Sequence, residues 1–297
     1  MPYSKLPSRS STRGPEPRPG RRGGAFLLAL LLGGPLAASV TANVLPNLGR
    51  AELPKDQVAS VPFRAGETLV YTVSWLKIEG GEMTLATSRE WSPDGVPVHR
   101  IRLSAVSNDY VSRFYPVDTR YESWIDARDF MPVRFEKRAR EGRYSADEVE
   151  EFDLAKRVGT WRNAKDRRRV VALPPRFQDV ISSFYFMRTV PLVPGEETRV
   201  DLCSRGKLYR LVVAVLGREK VETELGTFDA IKVQPRMHEG EGSEDQNKGK
   251  LFLWFSDDER RLPVMARTIL PIGSVTARLT RVTGEPPASA APPPAPR

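Results

Sequence analysis

Three consecutive acidic residues, Asp257-Asp258-Glu259, are the first group in the chain whose types and spacing could do chemistry. Paired carboxylates can divide acid and base roles, or hold Ca²⁺ through their oxygens. Here they follow the apolar segment Leu251–Phe255 and precede Arg260-Arg261-Leu262-Pro263. That order is turn composition between two strands, held by Asx-type bonds and Asp–Arg pairs. The second reading is a surface cation site, for which Asp257 and Asp258 are the candidates, with Glu259 beside them. Other metal chemistry finds no support, since zinc needs clustered His and Cys and the chain has His99, His238 and a single cysteine, Cys203.

Nucleophiles and phosphate-binding loops fare no better. Ser182-Ser183 are adjacent but lie in no G-x-S-x-G elbow. They read as helix residues whose hydroxyls bond nearby carbonyls. Cys203 sits in an alternating apolar stretch and reads as a small buried hydrophobe. Gly240–Lys250 contains glycine and lysine but not the G-x-x-x-x-G-K-[ST] spacing that cradles phosphates. We therefore assign no catalytic residues, no cofactor and no nucleotide. The aromatic residues Tyr71, Trp75, Phe184, Tyr185, Trp254 and Phe255 are a different case. They fall on segments that should face one another and could line an apolar ligand cavity. The same set could equally be a filled core, and the sequence leaves both open.

The elements that must position these residues are mostly strands. Period-two alternation is clear in Glu67–Trp75, where Leu69, Tyr71, Val73 and Trp75 share a face. Similar segments lie near 81–88, 97–107, 118–126, 131–138, 144–153, 157–162, 168–173, 198–204, 207–216, 227–235, 249–256, 262–270 and 273–282. Turn residues such as Glu79-Gly80-Gly81 and Arg140-Glu141-Gly142 separate many of them. One segment breaks the pattern. In Gln178–Arg188, Val180, Ile181, Phe184, Tyr185 and Met187 have helical spacing, after Pro174-Pro175 and before Pro191. Asp179 is placed to cap it, Gln178 to bond neighbouring strands, and Arg188 to complement the helix dipole. The expected fold is mainly β: a large curved antiparallel sheet, half-barrel or open barrel, with one amphipathic helix (about 178–189) on its concave face.

Five stretches in order carry a resemblance: Phe63–Trp75, Gln178–Arg188, Gly226–Pro235, Leu253–Pro263 and Ile272–Leu279. Together they resemble the bacterial domain-of-unknown-function family 3108. The resemblance implies an exported, β-rich protein and supplies no catalytic residues. The implied shape is also similar to periplasmic lipoprotein carriers and other half-barrel lipid binders.

The first 42 residues set the expected compartment. Lys5, Arg9, Arg13, Arg18, Arg21 and Arg22 precede the apolar run Ala25–Leu36, and Val40-Thr41-Ala42 follows. This reads as a cleavable export signal, with a retained anchor as the alternative. The run is short of the roughly 20 residues a span needs. Residues 43–62 read as an extended lead-in, 63–283 as the β-rich domain and 284–297 as a disordered Pro/Ala-rich tail. The full chain has 46 basic and 37 acidic residues; the signal holds six and one of them, leaving a net charge of +4 rather than +9. Nucleic acid is therefore not an expected partner. The expected function is a periplasmic or secreted, non-enzymatic protein that binds or carries an apolar or amphiphilic envelope molecule, or acts as a scaffold. Peripheral or no membrane association is expected after cleavage. A carboxylate-dependent hydrolase of envelope glycan or lipid, and a protein–protein module using the Pro-rich tail, are the alternatives.

The signal reading has a direct check. N-terminal sequencing of protein recovered from its native envelope should begin at Asn43. An intact Met1 would favour the retained anchor.

Overall fold

Period-two alternation becomes fourteen strands in a single antiparallel sheet. The computed structural model describes residues 63–92, 95–239, 249–271 and 273–284. The expected signal, the lead-in and all but Gly284 of the tail lie outside the described residues, as does most of the Gly240–Lys250 loop. In chain order the elements are β1 (Thr68–Trp75), β2 (Ile78–Trp91), β3 (Pro97–Ser107), α1 (Asp109–Ser112), β4 (Val117–Asp126), β5 (Pro132–Glu141), β6 (Tyr144–Asp153), β7 (Val158–Asn163) and β8 (Arg168–Ala172). Then come α2 (Val180–Phe186), β9 (Glu197–Ser204), β10 (Lys207–Thr223), β11 (Gly226–His238), β12 (Lys250–Ser256), β13 (Pro263–Leu270) and β14 (Gly273–Thr283).

The strand order is β8 through β1, then β14 through β9. β1 pairs with β14, with Thr68 opposite Thr283 and Trp75 opposite Val275. The two edges of the sheet are thus β8 and β9, which are consecutive in sequence. No ladder joins them, so the sheet curves without closing into a barrel. The expected open, curved architecture with a helix inside it is the one observed. β10 runs beyond the expected 216 because an irregularity between Val215 and Gly217 lets the strand bend and continue.

Other contacts bridge the gap between the edges. The Gln178 N–H donates to the Asp201 carbonyl at 2.8 Å, and the Gln178 carbonyl accepts from the Cys203 N–H at 2.8 Å. The buried Glu150 carboxylate of β6 accepts from the Arg205 and Gly206 N–H groups of the β9–β10 turn, at 2.8 and 3.2 Å. That turn has positive φ at both central residues, 55° at Arg205 and 65° at Gly206. A Cβ at Gly206 would meet Arg169 Cβ at 2.6 Å, so only glycine lets the turn approach the β8 edge.

The helix is shorter than the expected 178–189. Gln178 is taken up by the bridge to β9, and Asp179 is the N-cap in extended conformation. Asp179 Oδ1 accepts from the N–H groups of Ile181 and Ser182, while Ser182 Oγ accepts from the Asp179 N–H. This reciprocal capping box satisfies the orphan donors of a helix end that is buried. Ile181, Tyr185 and Phe186 are buried in the concavity. Phe184 meets Phe255 at 5.7 Å between ring centroids, and Tyr185 meets Phe63 edge-on at 4.9 Å.

Arg188 departs from the expected dipole role. Its fully buried guanidinium forms a bidentate pair with Glu67, at 2.5 and 3.0 Å, and donates to the Arg260 carbonyl at 3.0 Å. It also lies 5.4 Å above Phe63 and 5.2 Å above Tyr185. The pair ties the end of α2 to the residue preceding β1. Removing one partner leaves a buried charge, so Arg188→Met should destabilise the chain by about 3–5 kcal/mol in equilibrium denaturation. The double variant Glu67→Leu/Arg188→Met should recover much of that loss. Equal stability of Arg188→Met and wild type would show that the pair contributes nothing.

A candidate apolar cavity beneath helix α2

On the side of α2 that faces β2, β3 and β9–β13, the concavity is not filled. A cavity of about 110 Å³ remains there. Its walls include Phe184 of α2 and Met187 at its C-cap, Met83 of β2, Leu103 of β3, Met237 of β11 and Leu253 of β12. Strand alternation explains the lining, since Leu251 and Leu253 of β12 and Leu211 and Val213 of β10 point inward on every second residue. No lining residue is charged, and Ser183 is the one hydroxyl on the wall. Its Oγ donates to the Val180 carbonyl at 2.9 Å and offers little to a polar ligand. Val180, Phe184 and Met237 are only partly buried, so the cavity is not sealed. An engineered apolar cavity of about 150 Å³ stays dry and admits benzene, so this one suits a short apolar group rather than a whole lipid.

The six aromatic residues expected to line a cavity from facing segments are distributed differently, and Phe255 is fully buried against Phe184 rather than on the cavity wall. Phe184 lines the cavity. Tyr185 is fully buried beneath Arg188 and Phe63. Tyr71 is buried and donates its hydroxyl to the Pro263 carbonyl at 2.8 Å. Trp75 stands at the end of β1 with 40% of its surface exposed. Trp254 lies on the opposite face of β12 from Leu253 and Phe255. Its ring is flanked by Lys232 and Arg267, and its Nε1 donates to Glu219 at 2.6 Å. The cavity wall is instead aliphatic and methionine-rich. The alternation in 81–88, 207–216 and 249–256 was the available signal for it. What was missing was which inward-facing residues the helix would leave uncovered.

Asp257 and Asp258 hold the β12–β13 turn. Asp257 pairs with Arg218 at 2.6 Å and Arg261 at 3.1 Å, and these arginines keep its carboxyl below the usual range. Asp258 Oδ1 accepts from Ser256 Oγ at 2.6 Å and from the N–H groups of Arg260 and Arg261, both at 3.1 Å. Neither carboxylate lines the cavity. Gln178 Nε2 donates to the Phe130 carbonyl at 3.2 Å. Cys203 is buried, and burial beside Glu150 and Asp179 pushes its thiol upward, away from thiolate chemistry.

The buried carboxylates at the seam were not singled out from the sequence. Glu148-x-Glu150-x-Phe152 places two acids on the inward face with a phenylalanine, which was the signal for them. Burial raises Glu150 to about 7, against the lowering pull of the Arg205 and Gly206 N–H groups, and nearby Asp179 and Glu148 raise it further. Burial likewise raises Asp179 to about 6, although Ser123 Oγ donates to it at 2.5 Å. These groups hold the seam and the helix cap; they do not face the cavity.

Comparison with known proteins adds a family. Residues 70–280 match the model of a family described as protein of unknown function, DUF3108. Among curated proteins none matches the sequence. Among solved structures, the chain is similar to a β-barrel-like protein of the domain of unknown function DUF1849 from Brucella abortus. That match has 10% identity and a TM-score of 0.49, covering 73% of this chain and 97% of the other. It is also similar to the hypothetical protein CT021 from Chlamydia trachomatis, with 11% identity and a TM-score of 0.33, covering 76% and 90%.

The seam makes stability depend on pH with a definite sign. A raised carboxylate keeps its proton in the folded chain where the unfolded chain has lost it. The contribution of Glu150 is therefore complete below its unfolded value of 4.5 and is lost as pH rises through about 7. Glu150→Gln removes this dependence. Urea denaturation from pH 4.5 to 8 should show the variant gaining on wild type by on the order of 3 kcal/mol. A constant difference across that range would mean that Glu150 is ionised normally in the fold.

Proposed function

As the chain belongs to the DUF3108 family, whose description assigns no activity, we propose from its own cavity that it is a non-catalytic cell-envelope protein that holds the apolar end of an amphiphilic molecule. The observation that carries this reading is the unfilled, uncharged cavity between α2 and the sheet. A gap of that kind in an otherwise close-packed core forfeits dispersion contacts, which an apolar group entering it would restore. Its size suits the terminal methylenes of an acyl chain or a small ring. Met83, Met187 and Met237 give the wall side chains that can re-pack around different shapes. The expected export signal supports action outside the cytoplasm, where amphiphiles of the envelope are the abundant apolar ligands.

Ala266, buried on the cavity wall, provides the test. Wild-type protein should enhance the fluorescence of an apolar naphthylamine probe, and fatty acids should displace it. Ala266→Leu, which fills the space, should weaken probe binding about tenfold, or about 1.4 kcal/mol. Leu253→Ala should enlarge the site and retain binding, while lowering stability by about 2–5 kcal/mol. Absence of probe binding by wild type, together with no co-purified amphiphile in native mass spectrometry, would overturn the reading.

A further inference from the structure

The face of the sheet turned away from α2 carries a polar groove across β4, β5, β6 and β7. Ser123, Phe135, Glu150 and Trp161 are buried on the inner face. Alternation therefore turns Arg120, Glu122, Glu136, Arg138, Asp147 and Arg162 outward. These side chains, with Asn163 at the end of β7, line an open groove of about 520 Å³. Lys137 and Glu148 also border it, but alternate to the inner face.

Arg120 and Arg138 stand directly opposite each other on β4 and β5. Like charges so placed are destabilising unless something neutralises them. The outward carboxylates of the groove do not, because each is committed to another arginine. Glu122 accepts from Arg100 Nε at 2.8 Å and from Arg102 Nε at 3.0 Å. Glu136 accepts from Arg134 at 2.6 and 2.8 Å. Asp147 lies opposite Arg138, yet its carboxylate accepts from Arg140 at 2.8 Å. Arg162 shares Glu151 with Arg134, at 3.1 and 2.7 Å. Among the described residues no carboxylate oxygen comes within 4.0 Å of the Arg138 guanidinium, and Arg120 reaches only Glu122, at 4.0 Å. Asp118, two residues before Arg120 and opposite Arg140, pairs with neither. Asn163 Oδ1 accepts from the N–H groups of Lys165 and Arg167 at 3.0 and 3.1 Å, which leaves its Nδ2 as a further donor at the groove.

We propose that this groove binds a phosphate monoester, with Arg120 and Arg138 as the two guanidinium forks that hold it. An arginine fork matches two phosphate oxygens at once, so adjoining forks can share one phosphate group. A phosphate monoester carries about two negative charges at neutral pH, which balances the two guanidiniums that the groove's own acids leave unpaired. A carboxylate would balance one of them. Arg162 and the Asn163 amide supply donors on the β7 side. The phosphate can belong to a small soluble ester or to a lipid headgroup, since the groove opens on the outer face. The cavity lies on the inner face, so this site stands apart from the cavity reading.

The experiment is calorimetric titration of the chain with glycerol 3-phosphate, beside co-sedimentation with phosphatidylcholine vesicles containing phosphatidic acid. Wild type should bind at least one of the two. Arg120→Gln and Arg138→Gln should each weaken that binding about tenfold. Arg278→Gln, which removes an exposed arginine of β14 outside the groove, should bind as wild type does. Stability gives a second readout. Without phosphate, Arg138→Gln should be at least as stable to urea as wild type, because it removes a like-charge pair. The phosphate compound that binds should raise the urea midpoint of wild type and leave that of Arg138→Gln unchanged. Binding of glycerol 3-phosphate without pelleting would make a soluble ester the ligand. Pelleting that Arg120→Gln/Arg138→Gln abolishes would make it a lipid headgroup. Failure of wild type to bind either probe would overturn the proposal and leave the cavity reading untouched. So would undiminished binding by the two groove variants, or an equal loss in Arg278→Gln, which would mark the binding as general surface charge.

Discussion

β1 pairs with β14, so the first and last strands meet in the middle of the sheet and the free edges are β8 and β9. These edges are consecutive in sequence, and the chain passes from one to the other through the segment that contains α2. A strongly curved antiparallel sheet of this length needs its concave face covered. The connection that must cross from one edge to the other is the segment that covers it. Everything inside the fold follows from this: the helix is capped in the interior, its end is anchored by a buried ion pair, and whatever it fails to fill becomes the cavity.

The same constraint explains why the seam is polar. An open edge presents unpaired N–H and C=O groups. Here Glu150, Gln178 and the β9–β10 turn satisfy some of them without a further strand pairing. A carboxylate can accept two N–H groups at once, which a single residue of a ladder does not do. The cost is burial of an acid beside Asp179, which is why both groups hold their protons to higher pH than ordinary carboxylates.

Most of the architecture was legible in the chain. All fourteen strand segments expected from alternation correspond to strands, and the helix falls where Val180, Ile181, Phe184 and Tyr185 repeat at helical spacing. Asp179 was readable as a cap because a short polar residue stood just before that repeat. The site was legible only in part. Trp254 and Phe255 are neighbours on one strand, and alternation puts them on opposite faces; the sequence shows the alternation but not which face is inner. Trp75 shares its face with Leu69, Tyr71 and Val73, yet the sheet ends there and leaves it exposed. Arg188 and Glu67 are 121 residues apart, and no local pattern announces such a pair.

The cavity remains where three unrelated facts coincide. Seven helical residues give α2 fewer than two full turns, too short a stripe to cover the concave face of so large a sheet. The ion pair of Arg188 with Glu67 pins one end of the helix, and the capping box with its hydrogen bond to Ser123 pins the other. The helix therefore cannot slide toward β10–β13 to close the gap. An apolar space of about 110 Å³ forfeits dispersion energy that close packing would supply. Longer side chains at Ala266 or Leu253 could recover that energy without disturbing either anchor. The fold thus holds an unfilled apolar space by rigid means while lining it with methionines, the side chains best able to re-pack around a guest.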